Sequence, residues 1–238
     1  MKAIILAAGG SSRIMPLTEN IPKCLLEING KTILDIEIEN LVSCFINSFI
    51  ITTGFQHEKI ERYIEDQYQD LDFELVFNDR YDSTNYIYSL WLAKDLIDDD
   101  IILLHGDLVF ELDLLKRLLA DRSGNAVLVN STMRGPQKDF KAVVRDNMVR
   151  EISVNASGEN TFFCAPMYKF SREGFLRWFI EIEAFITRGE VECYAEDALN
   201  RITEEIELKP IYYGNEFCME IDTPEDLRIA KEYYRRIL

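Results

Sequence analysis

The sequence predicts an α/β fold, a mainly parallel mixed sheet flanked by helices. Three observations carry that reading. Short apolar runs recur at Ala3 to Leu6, Ser48 to Thr53 and Ile101 to His105, as expected of strands buried on both faces. Between them lie helical patterns: Thr32 to Phe45 puts Ile33, Ile36, Leu41 and Cys44 on one stripe, and His57 to Tyr68 is an acidic helix. No Pro/Gly/Ser-rich linker, low-complexity tract or repeat interrupts the alternation, so residues 1–238 are expected to form a single domain. In such a sheet ligands belong at the carboxyl ends of the strands.

Composition narrows the function classes. A formal net charge of −16 argues against nucleic acid or an anionic membrane as partner. The longest apolar runs are too short to span a bilayer and Met1-Lys2 leads straight into a strand, so neither a signal peptide nor a membrane helix is expected, and the location expected is cytoplasmic. Cys24, Cys44, Cys164, Cys193 and Cys218 are scattered without a C-x-x-C pair. They read as reduced thiols, mostly in the core, and not as a disulfide framework or zinc site. A monomer or homodimer is expected.

The first strand runs into a loop of small residues, Leu6, Ala7, Ala8, Gly9, Gly10, Ser11 and Ser12, followed at fixed distances by Arg13, Pro16, Thr18, Pro22 and Lys23. Small residues let backbone N–H groups approach phosphate oxygens, while a guanidinium and an ammonium add full charges. The alternative is a Gly-rich strand-to-helix turn with two incidental cations. There is neither the Gly-Lys-Ser/Thr of a Walker loop nor G-x-G-x-x-G spacing. The stretch instead resembles the opening of nucleotidyltransferases that activate sugar phosphates and small phospho-alcohols, roughly LAAGxG[TS]RxxPLTxxxPK. Leu6 to Gly9, Ser12, Arg13, Pro16 to Thr18, Pro22 and Lys23 match, whereas Ser11 stands at the family's second glycine, with Gly10 one place earlier. The resemblance implies a Rossmann-like, GT-A-like nucleotidyltransferase fold with a nucleotide-binding half (1–110) and an acceptor-binding half (111–238) that contains a small β-rich subregion.

Further along, Cys24 to Ile28 reads as extended, Asn29-Gly30 as a tight turn, and Phe73 to Phe77 as the third strand. The segment NDRYDSTNYIYSLWLAKDL, from Asn78 to Leu96, turns into a helix near Asn85 and resembles the phosphocholine cytidylyltransferase branch of that family. By that resemblance Thr84, Asn85 and Ser89 lie near the base or ribose. Helix N-capping is the competing reading.

Gly106 and Asp107 close the strand Ile101 to His105, and the resemblance makes Asp107 a Mg²⁺ ligand. His105 is read as structural. Leu112 to Leu119 is a helix, Ala126 to Asn130 a strand, and Arg134 to Lys138 a basic loop. A hairpin turning at Asp146-Asn147 joins Ala142 to Val144 with Val149 to Ile152, and the strand Phe162 to Phe170 follows. Lys138 or Lys141 is a candidate for an acceptor phosphate or phosphonate, against the plainer reading of solvated hairpin lysines. Ser171 to Arg188 is an amphipathic helix, and a second helix runs from Tyr194 to near Ile206. Its opening acids, Glu196 and Asp197, are candidates with Tyr194 for an acceptor ammonium, although acids favour any helix N-terminus.

Last, Glu220 and Asp222 share one face of an extended segment, and Thr223-Pro224-Glu225-Asp226 starts a helix. The segment resembles the family's second metal motif, so that Asp107, Glu220 and Asp222 form an oxygen set suited to Mg²⁺. The resemblance then implies transfer of CMP from CTP to a small phospho- or phosphono-acceptor such as phosphocholine or 2-aminoethylphosphonate. Lys23 would lie between acceptor and α-phosphate, and Arg13 would stabilise the pyrophosphate. Two rival readings are a sugar-1-phosphate transferase using UTP or dTTP, disfavoured by residues 78–93 and by the lack of a hexapeptide-repeat domain, and an inactive nucleotide-binding subunit, disfavoured because Lys23 and the acids are present.

Overall fold

The computed structural model describes residues 1–10, 12–133 and 138–237. Ser11 and most of the expected basic loop, residues 134–137, lie outside the described residues. The first half alternates strand and helix: β1 (Lys2–Leu6), the two-residue strands β2 (Glu27–Ile28) and β3 (Lys31–Thr32), α1 (Ile33–Ser43), β4 (Ser48–Thr53), α2 (His57–Gln67), β5 (Asp72–Phe77), α3 (Tyr86–Leu92) and β6 (Ile101–His105). The second half is richer in strand: β7 (Leu108–Phe110), α4 (Leu112–Ala120), β8 (Asn125–Asn130), β9 (Lys141–Arg145), β10 (Met148–Ser153), β11 (Thr161–Phe170), α5 (Arg172–Thr187), α6 (Ala195–Leu199), β12 (Leu208–Tyr213), β13 (Cys218–Glu220) and α7 (Pro224–Ile237).

Nine strands of the described residues make one mixed sheet in the order β10-β9-β11-β6-β1-β4-β5, with β8 on β11 and β12 on β8. The β6, β1, β4 and β5 strands are parallel, whereas β11 runs antiparallel to β6. Strand alternation distributes the buried apolar residues: Ile4, Ile50 and Leu103 face one layer, Ile5, Ile51, Ile102 and Leu104 the other. Both faces of β1, β4 and β6 are covered, so these strands read as short, nearly continuous hydrophobic runs, whereas the edge strand β5 alternates with Asp72 and Glu74.

Register decides where chemistry can happen. Leu6 on β1 pairs with Thr52 on β4 and with His105 on β6. The residues that leave those strands therefore emerge side by side at one rim. A third apolar cluster, built from Ile14, Leu26, Ile28, Ile33, Val109, Ile221, Leu227 and Ala230, fastens the segment between Arg13 and Lys23 to α1, β7 and α7.

Two expectations are corrected. Cys24 to Ile28 is not continuously extended: a 3-10 turn occupies Lys23–Leu25 and only Glu27–Ile28 is strand. The helix expected from Tyr194 to Ile206 is helical only over Ala195–Leu199, with turns beyond. Strands β7 and β12 were not anticipated. The first is three residues long, and the second carries Pro210, which is tolerated because β12 pairs with β8 alone. The hairpin turn at Asp146-Asn147 is as expected, with φ of 50° and 57°, the left-handed pair of a tight hairpin.

Candidate active site

A cleft of about 380 Å³ opens at the carboxyl ends of β1 and β6 and collects residues from both halves of the chain. One wall is the loop after β1. Its start is tied to its neighbours, since Ala7 N donates to Thr52 O at 3.0 Å and Gly106 N donates to Leu6 O at 3.0 Å. Two glycines make this packing possible. A Cβ on Gly106 would lie 3.0 Å from Ala7 Cβ, and one on Gly54 would lie 2.4 Å from Ala8 O and 2.6 Å from Tyr81 Cβ. Gly9 and Gly10 face open space instead, since a Cβ on either meets no atom within 4 Å. Leu6, Ala7, Ala8, Gly9 and Gly106 line the cleft. Gly10 is exposed beside it, and the backbone of Ser12 begins a short 3-10 turn with Arg13.

Thr84, Asn85 and Ser89 also line the cleft, with Asn78 and Tyr81. Asn78 organises them: its Nδ2 donates to Thr84 Oγ1 and to Ser89 Oγ, each at 3.0 Å, and it is 1% exposed. Asn85 is the N-cap of α3, accepting from Tyr86 N at 2.8 Å, and its own N–H donates to Val191 O at 2.7 Å. The capping reading thus holds for Asn85 and does not remove it from the cleft wall.

Opposite, cations and carboxylates interleave. The Lys23 ammonium bonds Asp107 Oδ2 and, at 2.9 Å, Asp222 Oδ1. Arg13 reaches the same Asp222 Oδ1 at 2.8 Å, and Lys138 bridges Asp222 Oδ2 at 3.2 Å and Asp226 Oδ2 at 3.1 Å. Burial alone would depress the Lys23 ammonium, but the Asp107 and Asp222 carboxylates outweigh it and hold its pKa above the ordinary value. Burial likewise opposes ionisation of Asp222, yet Lys23, Arg13 and Lys138 keep that carboxyl below its usual range. Three cations converge on one carboxylate beside a loop of small residues, so Arg13, Lys23 and Lys138 gather in the cleft of a chain of net charge −16, where Asp107, Glu220 and Asp222 face them. The sign of the whole molecule does not set the field in its cleft.

The metal-binding acids come together, with a change of membership. Ligand atoms of His105, Asp107 and Glu220 lie within 4.8 Å of one another, and His105 Nδ1 is 3.3 Å from Glu220 Oε1. Burial raises the Glu220 carboxyl and nearby Asp107 adds to it, against the opposing His105. His105, read from the sequence as structural, lines the cleft, because the register Leu6↔His105 delivers it there. Whether the residues fit a divalent cation is answered by Asp107 Oδ1, which is buried with no hydrogen-bond partner among the described residues.

Asp107 and Glu220 owe their proximity to the pairing of β7 with β13, where Glu220 sits opposite Leu108, and to Ile221 N, which donates to Asp107 O at 2.9 Å. Helix α1 braces β7 from behind. Fully buried Glu37 accepts from Leu108 N at 3.3 Å through Oε1, and Asn40 Nδ2 donates to Phe110 O at 3.1 Å. Burial, reinforced by Asp107, drives the Glu37 carboxyl well above its usual range, against the hydrogen bond from Leu108 N.

At the far end of the cleft four rings meet in a closed cycle: Tyr86 with His105 (centroids 4.7 Å apart), His105 with Phe140 (6.2 Å), Phe140 with Tyr194 (5.0 Å) and Tyr194 with Tyr86 (5.9 Å). All four line the cleft. Two acids expected there from sequence are otherwise engaged. Glu196 is 1% exposed, receives Tyr168 OH at 2.8 Å, and is bonded by Tyr86 OH behind the ring cluster. Asp197 caps its own helix by accepting from Tyr194 N at 3.0 Å. Lys141 is also turned from the cleft, its ammonium donating to Asp139 O at 2.9 Å and Val154 O at 2.8 Å. It holds the hairpin, and Lys138 is the lysine that lines the cleft.

The family model for nucleotidyl transferases matches residues 2–153, more than half of the chain. The chain belongs to the nucleotidyl transferase family. Among curated relatives, this nucleotidyl transferase is 36% identical over 139 residues to the CTP:phosphoglutamine cytidylyltransferase of Campylobacter jejuni, covering 56% of this chain and 53% of that one. It is 41% identical over 103 residues to the choline-phosphate cytidylyltransferase of Streptococcus pneumoniae, covering 43% of each. The chain thus spans about half the length of the curated relatives it matches. Among solved structures, the CTP:phosphocholine cytidylyltransferase of Streptococcus pneumoniae superposes with a TM-score of 0.82 at 25% identity over 98% of both chains. That correspondence shows the GT-A-like fold expected from the opening motif.

Proposed function

We propose that this chain transfers a cytidylyl group from CTP to a small phosphorylated or phosphonate compound bearing a cationic nitrogen, such as phosphocholine or 2-aminoethylphosphonate, and releases pyrophosphate. The observation that carries the acceptor half is the meeting of the Tyr86, Phe140 and Tyr194 rings in the cleft wall. Aromatic faces attract cations and offer little to the hydroxyls of a sugar. The relatives named for phosphoglutamine and choline phosphate also act on small nitrogen-bearing phospho-compounds.

An acceptor oxygen already ionised at neutral pH attacks the α-phosphorus of CTP in line. The new P–O bond forms as the bond to the β-phosphate oxygen breaks, and pyrophosphate leaves with the bonding pair. No side-chain base is required, so catalysis rests on positioning and on neutralising charge. Lys23, drawn into the cleft by Asp107 and Asp222, is placed to meet the α-phosphate and acceptor, while Arg13, more exposed at the rim, is suited to the departing pyrophosphate. Asn78 holds Thr84 and Ser89 in the cleft wall, where the base or ribose would lie. Asp107 and Glu220 would hold a divalent cation, Mg²⁺ in the family-based expectation, with Asp222 alongside. Such an ion supplies Lewis-acid charge at the phosphates.

A pyrophosphate-release panel tests the reading: CTP, UTP, dTTP, ATP and GTP crossed with phosphocholine, 2-aminoethylphosphonate, inositol phosphate and glucose 1-phosphate. Turnover is expected with CTP and an alkylamine acceptor, and none in chelator. Equal or better turnover of glucose 1-phosphate would move the chain to the sugar-phosphate branch.

A further inference from the structure

The charges of the cleft do not balance locally. Lys23, Arg13 and Lys138 all converge on Asp222, Lys23 also serves Asp107 through Oδ2 only, and Lys138 also serves Asp226. No ammonium or guanidinium is paired with Glu220 among the described residues, and its partner is the His105 imidazole. Two buried atoms beside it lack any hydrogen-bond partner, Asp107 Oδ1 and His105 Nε2. Orphaned buried polar atoms are costly, and Asp107 Oδ1, next to an under-neutralised carboxylate and the imidazole nitrogen that faces it, marks a place shaped for a cation.

We propose that this place takes a borderline divalent cation, of the Mn²⁺, Co²⁺ or Zn²⁺ class, through one imidazole nitrogen of His105 together with carboxylate oxygens of Asp107 and Glu220. Three observations support it. The donor atoms of these three side chains fall within 4.8 Å of one another, close enough to share one ion. His105 is 9% exposed and its ring is fixed between Tyr86 and Phe140, so the nitrogen is presented without a large ordering cost. Finally, Asp222 is already occupied by three cations and is therefore the least needy acid of the cleft. Donor chemistry then decides the metal class. Mg²⁺ prefers an all-oxygen octahedron, whereas a nitrogen donor shifts preference along the first transition row. The proposal uses the nucleotidyl-transfer reading only for the ion's role, since the binding itself requires no substrate.

The chain has only two histidines, His57 and His105, which makes the test specific. Metal-stripped protein is titrated with Mn²⁺, with and without CTP, and followed by electron paramagnetic resonance. Pulsed spectra of the loaded protein are searched for imidazole ¹⁴N modulation. Wild type and His57→Gln are expected to show the modulation, and His105→Gln to lose it. Mg²⁺ should compete for the wild-type site at least about tenfold more weakly than Mn²⁺, and the discrimination should shrink to less than about threefold in His105→Gln, in line with the preference of a mixed N/O site. No Mn²⁺ binding, no nitrogen modulation in wild type, or modulation that persists in His105→Gln would each overturn the proposal. Should His105→Gln fail to fold, the wild-type and His57→Gln spectra still decide. Failure of the cytidylyl reading would show separately, as no pyrophosphate from any nucleotide and acceptor pair with Mn²⁺ or Mg²⁺ supplied.

Discussion

The Lys23 ammonium donates to Asp222 Oδ1 at 2.9 Å while also bonding Asp107. One cation thus joins the loop after β6 to the strand end before α7, and in the proposed reaction its charge would act where negative charge redistributes during transfer. Lys23→Ala should lower kcat by about 10²- to 10³-fold, the usual cost of removing one preorganised donor, with a far smaller rise in the KM for CTP. Steady-state kinetics check this, and a kcat within threefold of wild type would show that Lys23 has no transition-state role.

Tyr194 and Asp197 are neighbours with different tasks. Tyr194 presents its ring to the cleft, so Tyr194→Leu should raise the acceptor KM by about 5- to 30-fold, the equivalent of 1 to 2 kcal/mol of cation–π attraction. The KM for CTP should move less than twofold. Asp197 caps α6, so Asp197→Asn should leave both KM values alone and cost at most about 1 kcal/mol of stability. An acceptor KM that rises in Asp197→Asn would return this acid to the binding site.

Glu37 offers a contrast of isosteres. Burial and Asp107 both disfavour a charge on its carboxyl, and Glu37→Gln keeps an acceptor for Leu108 N, so its melting temperature should stay close to wild type. Glu37→Leu leaves that N–H buried and unpaired, at about 1 to 3 kcal/mol, which should lower the melting temperature by several degrees. Equal melting of the two variants, followed by calorimetry, would show that the brace is dispensable.

Acid stability has a local contributor remote from the cleft. Burial opposes ionisation of Asp121, but Lys209 at 2.6 Å and two bonds from Ser123 lower its pKa from 3.8 to about 2. A depressed folded-state pKa adds stability that is fully present above the unfolded value and lost as pH falls through the folded one. Asp121→Asn should therefore be less stable than wild type at pH 7, and the gap should close between pH 4 and pH 2. Denaturant melts across that range measure it, and a gap that is constant with pH would contradict the assignment.

Local chemistry made much of the molecule readable. Strands β4 and β6 stand where the sequence places them, because a strand covered on both faces carries a near-continuous apolar run, here Phe49 to Ile51 and Ile101 to Leu104. The loop after β1 with Arg13 and Lys23 could be singled out because phosphate chemistry calls for small residues and cations at close spacing, whereas Asp107, Glu220 and Asp222 stood out as metal candidates through their resemblance to the family's motifs. What stayed hidden depended on register and on competition for partners. Whether His105 faces the cleft rests on its pairing with Leu6, and whether Glu196 and Asp197 meet a ligand rests on Tyr86, Tyr168 and the backbone of Tyr194 having claimed them first. The same competition withdrew Lys141 and left Lys138. A sequence lists which groups can bind a charge. Only the packed chain determines which of them are already bound, since a buried polar group must satisfy its hydrogen bonds with whatever the fold brings nearest.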